Sequence, residues 1–264
     1  MFAKVHKIHR LKICSLSGCQ ITQHRRSECK QLADKIIENS LLALILAEDA
    51  LWPALKLPRV QLQLGPMPMD PKGLATWCFF PVDALITLSS VNPQQSVPTF
   101  LGQHGCVLPP QVQGSAMQTR VMVSGQAYRM NWEEVRADSK RHAMWLRYTL
   151  AATQGLIGQM AQWSYCVQHH TPEQRLASWL LHCIAQSSNA ELNVEISSLP
   201  LAIRQLLVPL QPGMSQPGMS QPGIFRHAHD WGVEIQEGCL RTTAPNLLRA
   251  RACTCHQEMA MPKA

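Results

Sequence analysis

The sequence predicts an α+β protein: an N-terminal jelly-roll barrel, one long helix, and a small C-terminal domain of mixed helix and strand. Three observations carry that expectation. Between residues 39 and 131, short runs of alternating apolar and polar residues are broken by Gly and Pro. Further on, Leu146, Leu150, Thr153, Ile157, Met160, Ser164 and Val167 recur at alternating spacings of four and three, which places them on one stripe of a helix. Thr171-Pro172-Glu173-Gln174 then starts a second helix, with Thr171 as N-cap, Pro172 at the first helical position and Gln174 completing a capping box.

With 264 residues, 46% hydrophobic and 16% charged, the chain can bury cores in two small domains and is too apolar to stay disordered. The greasiest segment, Ser40 to Ala47, is stopped by Glu48-Asp49 and falls short of the ~18 apolar residues of a membrane span. The N-terminus is basic but lacks the apolar run of a secretory signal, so a cytoplasmic location is expected. The ten cysteines are then expected to be mostly reduced thiols. Residues 1 to 38 form a basic arm. Its eight Lys and Arg face only Glu28, Asp34 and Glu38, so five of the seven net positive charges sit there, where they could meet phosphate electrostatically.

In the barrel segment Val60, Leu62 and Leu64 alternate with Gln61 and Gln63. Val121, Val123, Tyr128 and Met130 show strand patterns on either side of Ser124-Gly125. Ala152, Gly155 and Gly158 on the long helix are small enough for close backbone approach, although each glycine lowers helix propensity by about 1 kcal/mol. His169-His170 ends that helix, and Leu176, Leu180 and Ile184 give the next its apolar face. A strand is predicted at Leu192 to Ile196, helices at Leu199 to Leu210 and Ser220 to Trp231, and a hairpin from Val233 to Thr242 turning at Glu237-Gly238. A last helix is predicted over Asn246 to Cys253. The segment Gln211-Pro212-Gly213-Met214-Ser215 is repeated at once as Gln216 to Ser220. A helix-turn-helix needs a turn of only about three or four residues, so the second copy lengthens it.

Met144 to Ala185, including Glu173-Gln174-Arg175-Leu176-Ala177 and Trp179-Leu180-Leu181, resembles the joint between dimerisation helix and DNA-binding domain in the Crp/Fnr family of bacterial transcription regulators. The resemblance extends from about Asn39 to His256. It implies a cyclic-nucleotide-binding-like sensor barrel (double-stranded β-helix) over 39–131, in which Trp77 to Leu88 resembles an early strand-turn-strand. It further implies a dimerisation helix over 132–170, with Leu146, Leu150, Thr153, Ile157 and Met160 in a homodimer interface. Residues 171–264 would be a degenerate winged helix-turn-helix that places Ser220, Gln221, Arg226, His227 and His229 against DNA.

The family's ligand cassette has Gly-Glu, whose carboxylate takes the ribose hydroxyl, and Arg-Ser/Thr-Ala, whose guanidinium pairs with the cyclic phosphate. The matching places here read Gly102-Gln103 and Gly114-Ser115-Ala116. Both ionic anchors are absent, and cyclic nucleotides are not expected to bind. Cys14, Cys19 and Cys29, with Cys78 or Cys106 as a fourth ligand, resemble the cysteine cluster of iron-sulfur members, but four and nine intervening residues space them too loosely. Cys253-Thr254-Cys255-His256 has metal-ligand residue types, yet adjacent ligands alone make a poor tetrahedral site. No metal and no cofactor are expected. His104 and Cys106 lack an orienting third group, so no enzyme is expected either.

Residues 171–264 carry seven basic and seven acidic side chains, a neutral balance for a domain that would contact DNA. The sequence therefore reads as a transcription regulator of Crp/Fnr type that does not respond to cyclic nucleotides. The alternative is a dimeric scaffold or signalling module on the same fold that has lost DNA binding. A metal-dependent barrel enzyme ranks third, because clustered histidines on the strands are missing.

Overall fold

The structure is a computed structural model that describes residues 37–48, 57–67, 76–90, 99–109, 117–187, 191–207 and 228–259. The basic arm up to Ile36, the triplet Gly114-Ser115-Ala116, the duplicated turn, and Ser220, Gln221, Arg226 and His227 lie outside the described residues.

Helix α1 (Ser40–Glu48) begins where Asn39 caps it: the Asn39 Oδ1 accepts the Leu42 N–H at 2.9 Å. The Asn39 Nδ2 donates to the carbonyls of Pro81 (2.8 Å) and Gly105 (3.0 Å), so this fully buried amide ties the helix to the end of one barrel strand and to a barrel loop. Leu41, Leu42 and Ile45 then enter a core with Cys78, Phe80, Tyr128, Met130 and Trp145.

The barrel consists of antiparallel strands in two sheets. One has the order β1 (Arg59–Leu62), β7 (Gly125–Asn131), β3 (Trp77–Pro81). The other has the order β2 (Gly65–Pro66), β6 (Met117–Val123), β4 (Leu85–Ser90), β5 (Thr99–Leu101). Ser124 alone separates β6 from β7, so that hairpin passes from one sheet to the other. Leu62, Phe79 and Ala127 of the first sheet pack against Ile86, Leu88, Leu101 and Val121 of the second, and this interior is the product of period-two alternation. The alternation predicted through Leu64 stops at Leu62. Gly65, at φ 115°, redirects the chain there and leaves Leu64 exposed.

After α2 (Trp132–Arg136), Asp138 caps the 31-residue helix α3 (Ser139–His169) by accepting the Lys140 and Arg141 N–H groups. The Glu48 carboxylate at the end of α1 accepts from Arg147 and Tyr148 and fastens α1 to α3. Helix α4 (Pro172–Gln186) starts at the predicted capping box: Gln174 N–H donates to Thr171 Oγ1 at 3.3 Å, and Thr171 N–H donates to Gln174 Oε1 at 3.1 Å. Its residues from Leu176 to Cys183 are all buried, which makes α4 the central rod of the C-terminal part of the chain.

Around α4 lie β8 (Asn193–Glu195), a 3-10 turn (Ile196–Ser198), α5 (Leu201–Leu207), a second 3-10 turn (Ala228–Trp231), the hairpin β9 (Val233–Gln236) and β10 (Cys239–Thr242), α6 (Pro245–Arg249) and α7 (Cys255–Glu258). The sheet order is β8-β10-β9, and the hairpin turns at Glu237-Gly238, both at positive φ. The core joins Leu176, Trp179 and Leu180 of α4 to Ile203, Leu240 and Leu248, and to Leu85, Phe100 and Met122 of the barrel.

Four predicted elements come out shorter or different. The strand expected over Leu192 to Ile196 is Asn193–Glu195, with Ile196 opening a 3-10 turn. The helix expected from Leu199 starts at Leu201, after Pro200. The described end of the helix expected over Ser220 to Trp231 is a 3-10 turn, followed by Gly232 at φ 67°. The last helix stops at Arg249 instead of running to Cys253: the Arg251 N–H already turns to the Leu248 carbonyl three residues back, and the Cys253 N–H donates to Ser178 Oγ at 3.0 Å. No helix among the described residues is long and apolar enough to cross a membrane.

Candidate functional site

Helix α3 carries two stripes, offset from each other by one residue. Trp145, Thr149, Gln159, Trp163 and Cys166 are buried, and Ala152 and Leu156 half-buried, on the face turned to the rest of the chain. One residue further along, Leu146, Leu150, Thr153, Ile157, Met160, Ser164 and Val167 are all exposed. Leu150 is 63% exposed and Ile157 60%, far more than an aliphatic side chain keeps in an ordinary core. The stripe read from spacing is therefore continuous and mainly apolar, interrupted by Thr153 and Ser164, and it faces away from its own core.

Between the barrel and α3 is a cavity of about 330 Å³. Leu88, Leu101 and Val107 wall it on the barrel side, Leu156 on the helix, and Ile157 and Met160 where it reaches the exposed stripe. No charged side chain lines it among the described residues. Thr99, Thr149 and Thr153 supply hydroxyls that can orient a ligand but not neutralise a phosphate.

The two cassette residues that are described lie elsewhere. Gly102 and Gln103 sit against the end of α4: Gln103 N–H donates to the Gln186 carbonyl at 3.0 Å, and Gln103 Nε2 donates to the Ala185 carbonyl at 3.4 Å. Their hydrogen bonds join the barrel to the end of α4. Beside them, His182 is buried with its ring 4.7 Å from that of Phe100, and neither ring nitrogen has a hydrogen-bond partner among the described residues. Burial, with smaller contributions from His256 and His104, pushes its pKa down to about 3, so the imidazole is neutral.

Of the residues expected to contact DNA, only His229 is described, in the 3-10 turn next to β9. Arg241 on β10 pairs with Glu191 at 3.0 Å. On the barrel, His104 Nδ1 is 2.8 Å from Ser40 Oγ. Burial raises the Cys106 thiol to about 12 and also lifts that of Cys78, so both stay protonated and make poor nucleophiles or ligands as they stand.

Sequence reading missed one constellation. Cys253 and Cys255, set aside because adjacent ligands alone make a poor site, meet Cys166 from the last turn of α3 and His170, the residue just past its end. The Cys166 and Cys253 sulfurs are 3.6 Å apart, and Cys255 Sγ is 3.5 Å from His170 Nδ1. The signal available in the sequence was Cys166 and His170 at i, i+4 on one helical face. Nothing local links that pair to a tail 87 residues away.

No protein-family model and no curated protein matches the chain. Among solved structures, it is similar to a candidate cyclic nucleotide binding protein from Ruegeria pomeroyi DSS-3, with 17% identity, a TM-score of 0.43, and coverage of 85% of this chain and 97% of the other. It is also similar to a CRP-family transcriptional regulator from Thermus thermophilus, at 10% identity and a TM-score of 0.46, covering 79% of this chain and all of the other. The catabolite activator protein of the same organism aligns at 12% identity with a TM-score of 0.31, covering 83% and 95% of the two chains.

Proposed function

We propose that the chain is a homodimeric, DNA-binding transcription regulator of Crp/Fnr type whose barrel does not take cyclic nucleotides. The observation that carries this reading is the exposed stripe Leu146, Leu150, Thr153, Ile157, Met160 on a helix that leads through a capped break directly into the C-terminal domain. Two copies joined along that stripe would carry their C-terminal domains as a symmetric pair, the arrangement that reads a palindromic site. In this reading the β9–β10 hairpin is the wing, and Ser220, Gln221, Arg226, His227 and His229 contact DNA. The apolar cavity beside α3 would take a neutral, largely apolar effector.

Genome-wide binding by the purified protein at low salt tests the proposal, followed by anisotropy titration of a selected fragment. Arg226→Ala should weaken binding by about 1 to 3 kcal/mol if the arginine meets a base edge. A second reading, a dimeric scaffold without DNA binding, is favoured by the neutral charge balance of residues 171–264. It takes over if no fragment is enriched and the Arg226→Ala variant behaves like the parent.

A further inference from the structure

We propose that Cys166, His170, Cys253 and Cys255 hold a structural zinc ion that fastens the end of α3 to the C-terminal tail. Their ligand atoms all lie within 4.8 Å of one another. Zinc bonds of about 2.3 Å to sulfur and about 2.0 Å to nitrogen set the edges of a tetrahedron at about 3.8 Å between sulfurs and about 3.5 Å between sulfur and nitrogen. The Cys166–Cys253 separation of 3.6 Å and the Cys255–His170 separation of 3.5 Å are edges of that size. A small contraction of the longer edges closes the shell.

The surroundings are those of a metal site as well. Ser178 Oγ accepts the Cys253 N–H at 3.0 Å and lies 3.0 Å from Cys253 Sγ and 3.2 Å from the Cys253 carbonyl oxygen, between which its one proton is shared. Gln162 Nε2 donates to Cys255 Sγ at 3.2 Å. Donors aimed at ligand sulfurs hold their orientation and spread their charge. The three cysteines are buried while His170 is half-buried, so an ion has a way in from the histidine side.

The chemistry selects the ion and its role. Three soft sulfurs and one imidazole favour zinc over oxygen-seeking cations, and four protein ligands leave no open position for a substrate, so the site is structural. The spacing suits a mononuclear ion, and a multinuclear iron-sulfur cluster would push the ligand sulfurs further apart. The location gives the site its effect. His170 closes α3 and Thr171 opens α4, so the ion clamps the joint between the two helices from the far end of the chain.

Full-length protein purified with reductant and without chelator should contain about one zinc per chain by mass spectrometry of the metal. Exchange with Co²⁺ should produce an intense thiolate charge-transfer band and the visible bands of a tetrahedral ion. Cys253→Ser with Cys255→Ser should abolish both. His170→Ala, which alters a half-exposed side chain, should weaken Co²⁺ binding more than tenfold while near-ultraviolet circular dichroism stays native, which guards against loss of fold as the cause. The triple variant Cys14→Ser, Cys19→Ser, Cys29→Ser should keep the full signal. The proposal is overturned if the protein takes up no zinc or cobalt. It is equally overturned if the signal follows the three N-terminal cysteines, or if peptide mapping of the reduced preparation finds a Cys166–Cys253 disulfide.

Discussion

Gly102 and Gln186 lie backbone to backbone: a Cβ placed on Gly102 would come within 2.1 Å of the Gln186 carbonyl oxygen. The same oxygen accepts the Gln103 N–H, so barrel and α4 meet at a spacing that only a glycine permits. Gly102→Ala should therefore destabilise the protein by about 2 to 4 kcal/mol, because neither backbone can yield and the hydrogen bond is lost as well. Urea denaturation should show a lower midpoint with an unchanged slope. A midpoint equal to the parent's would mean the contact is looser than this spacing implies.

His182 makes a prediction about pH. Its folded pKa, about 3, lies below the ordinary 6.5, so in this interval the unfolded chain binds the proton and the folded chain does not. Stability from this group is complete above pH ~6.5 and falls as the pH drops towards ~3, by about 1.4 kcal/mol per pH unit. His182→Leu should flatten the fall by that amount when unfolding free energies are compared between pH ~7 and ~5. Parallel curves for parent and variant would show that His182 charges without cost.

Asn39 satisfies three backbone groups with one buried amide. Asn39→Ala should cost about 2 to 4 kcal/mol, since the Pro81 and Gly105 carbonyls and the Leu42 N–H all lose their partner. Asn39→Asp keeps an acceptor for Leu42 but turns a carboxylate towards two carbonyls, so it should rescue little. Thermal melts of both variants decide the matter, and near-parental stability of the alanine variant would contradict the assignment.

Leu150→Glu with Ile157→Glu should convert a dimer into a monomer by sedimentation equilibrium. Both side chains are mostly exposed in the single chain, so its helix content by circular dichroism should not change. A double variant that remains dimeric would remove this stripe from the interface.

Cyclic AMP and cyclic GMP should give no binding heat in titration calorimetry at concentrations up to about 1 mM. The cavity beside α3 offers them hydroxyls and aliphatic carbons but no cation among its described lining. Micromolar affinity for either nucleotide would contradict this.

What could be read from the sequence was what a few neighbouring residues decide. The Thr171–Gln174 box closes within one turn, and the Glu237-Gly238 turn needs only two residues able to adopt positive φ. The stripe on α3 follows from helical period alone. Gly102-Gln103 matched a ligand cassette by residue type, yet a glycine serves equally well where another backbone must pass close, and only the fold reveals the second use. Cys166 and Cys253 meet through the packing of α3, α4 and the tail, a long-range event that leaves no periodicity behind. The ring of His182, whose nitrogens have no hydrogen-bond partner among the described residues, was illegible for the same reason: it reads as one more polar residue on a helix.

Ile157 and Met160 belong to the cavity wall and to the exposed stripe at once. In a dimer joined along that stripe, the two events would share the same atoms and therefore the same free energy. A molecule that settles against Ile157 would alter the association constant of the two chains. By reciprocity, association would alter affinity for that molecule by the same factor. Ligand affinity measured on such a chain would depend on protein concentration, and a titration repeated across dilutions would give different midpoints with no second site involved.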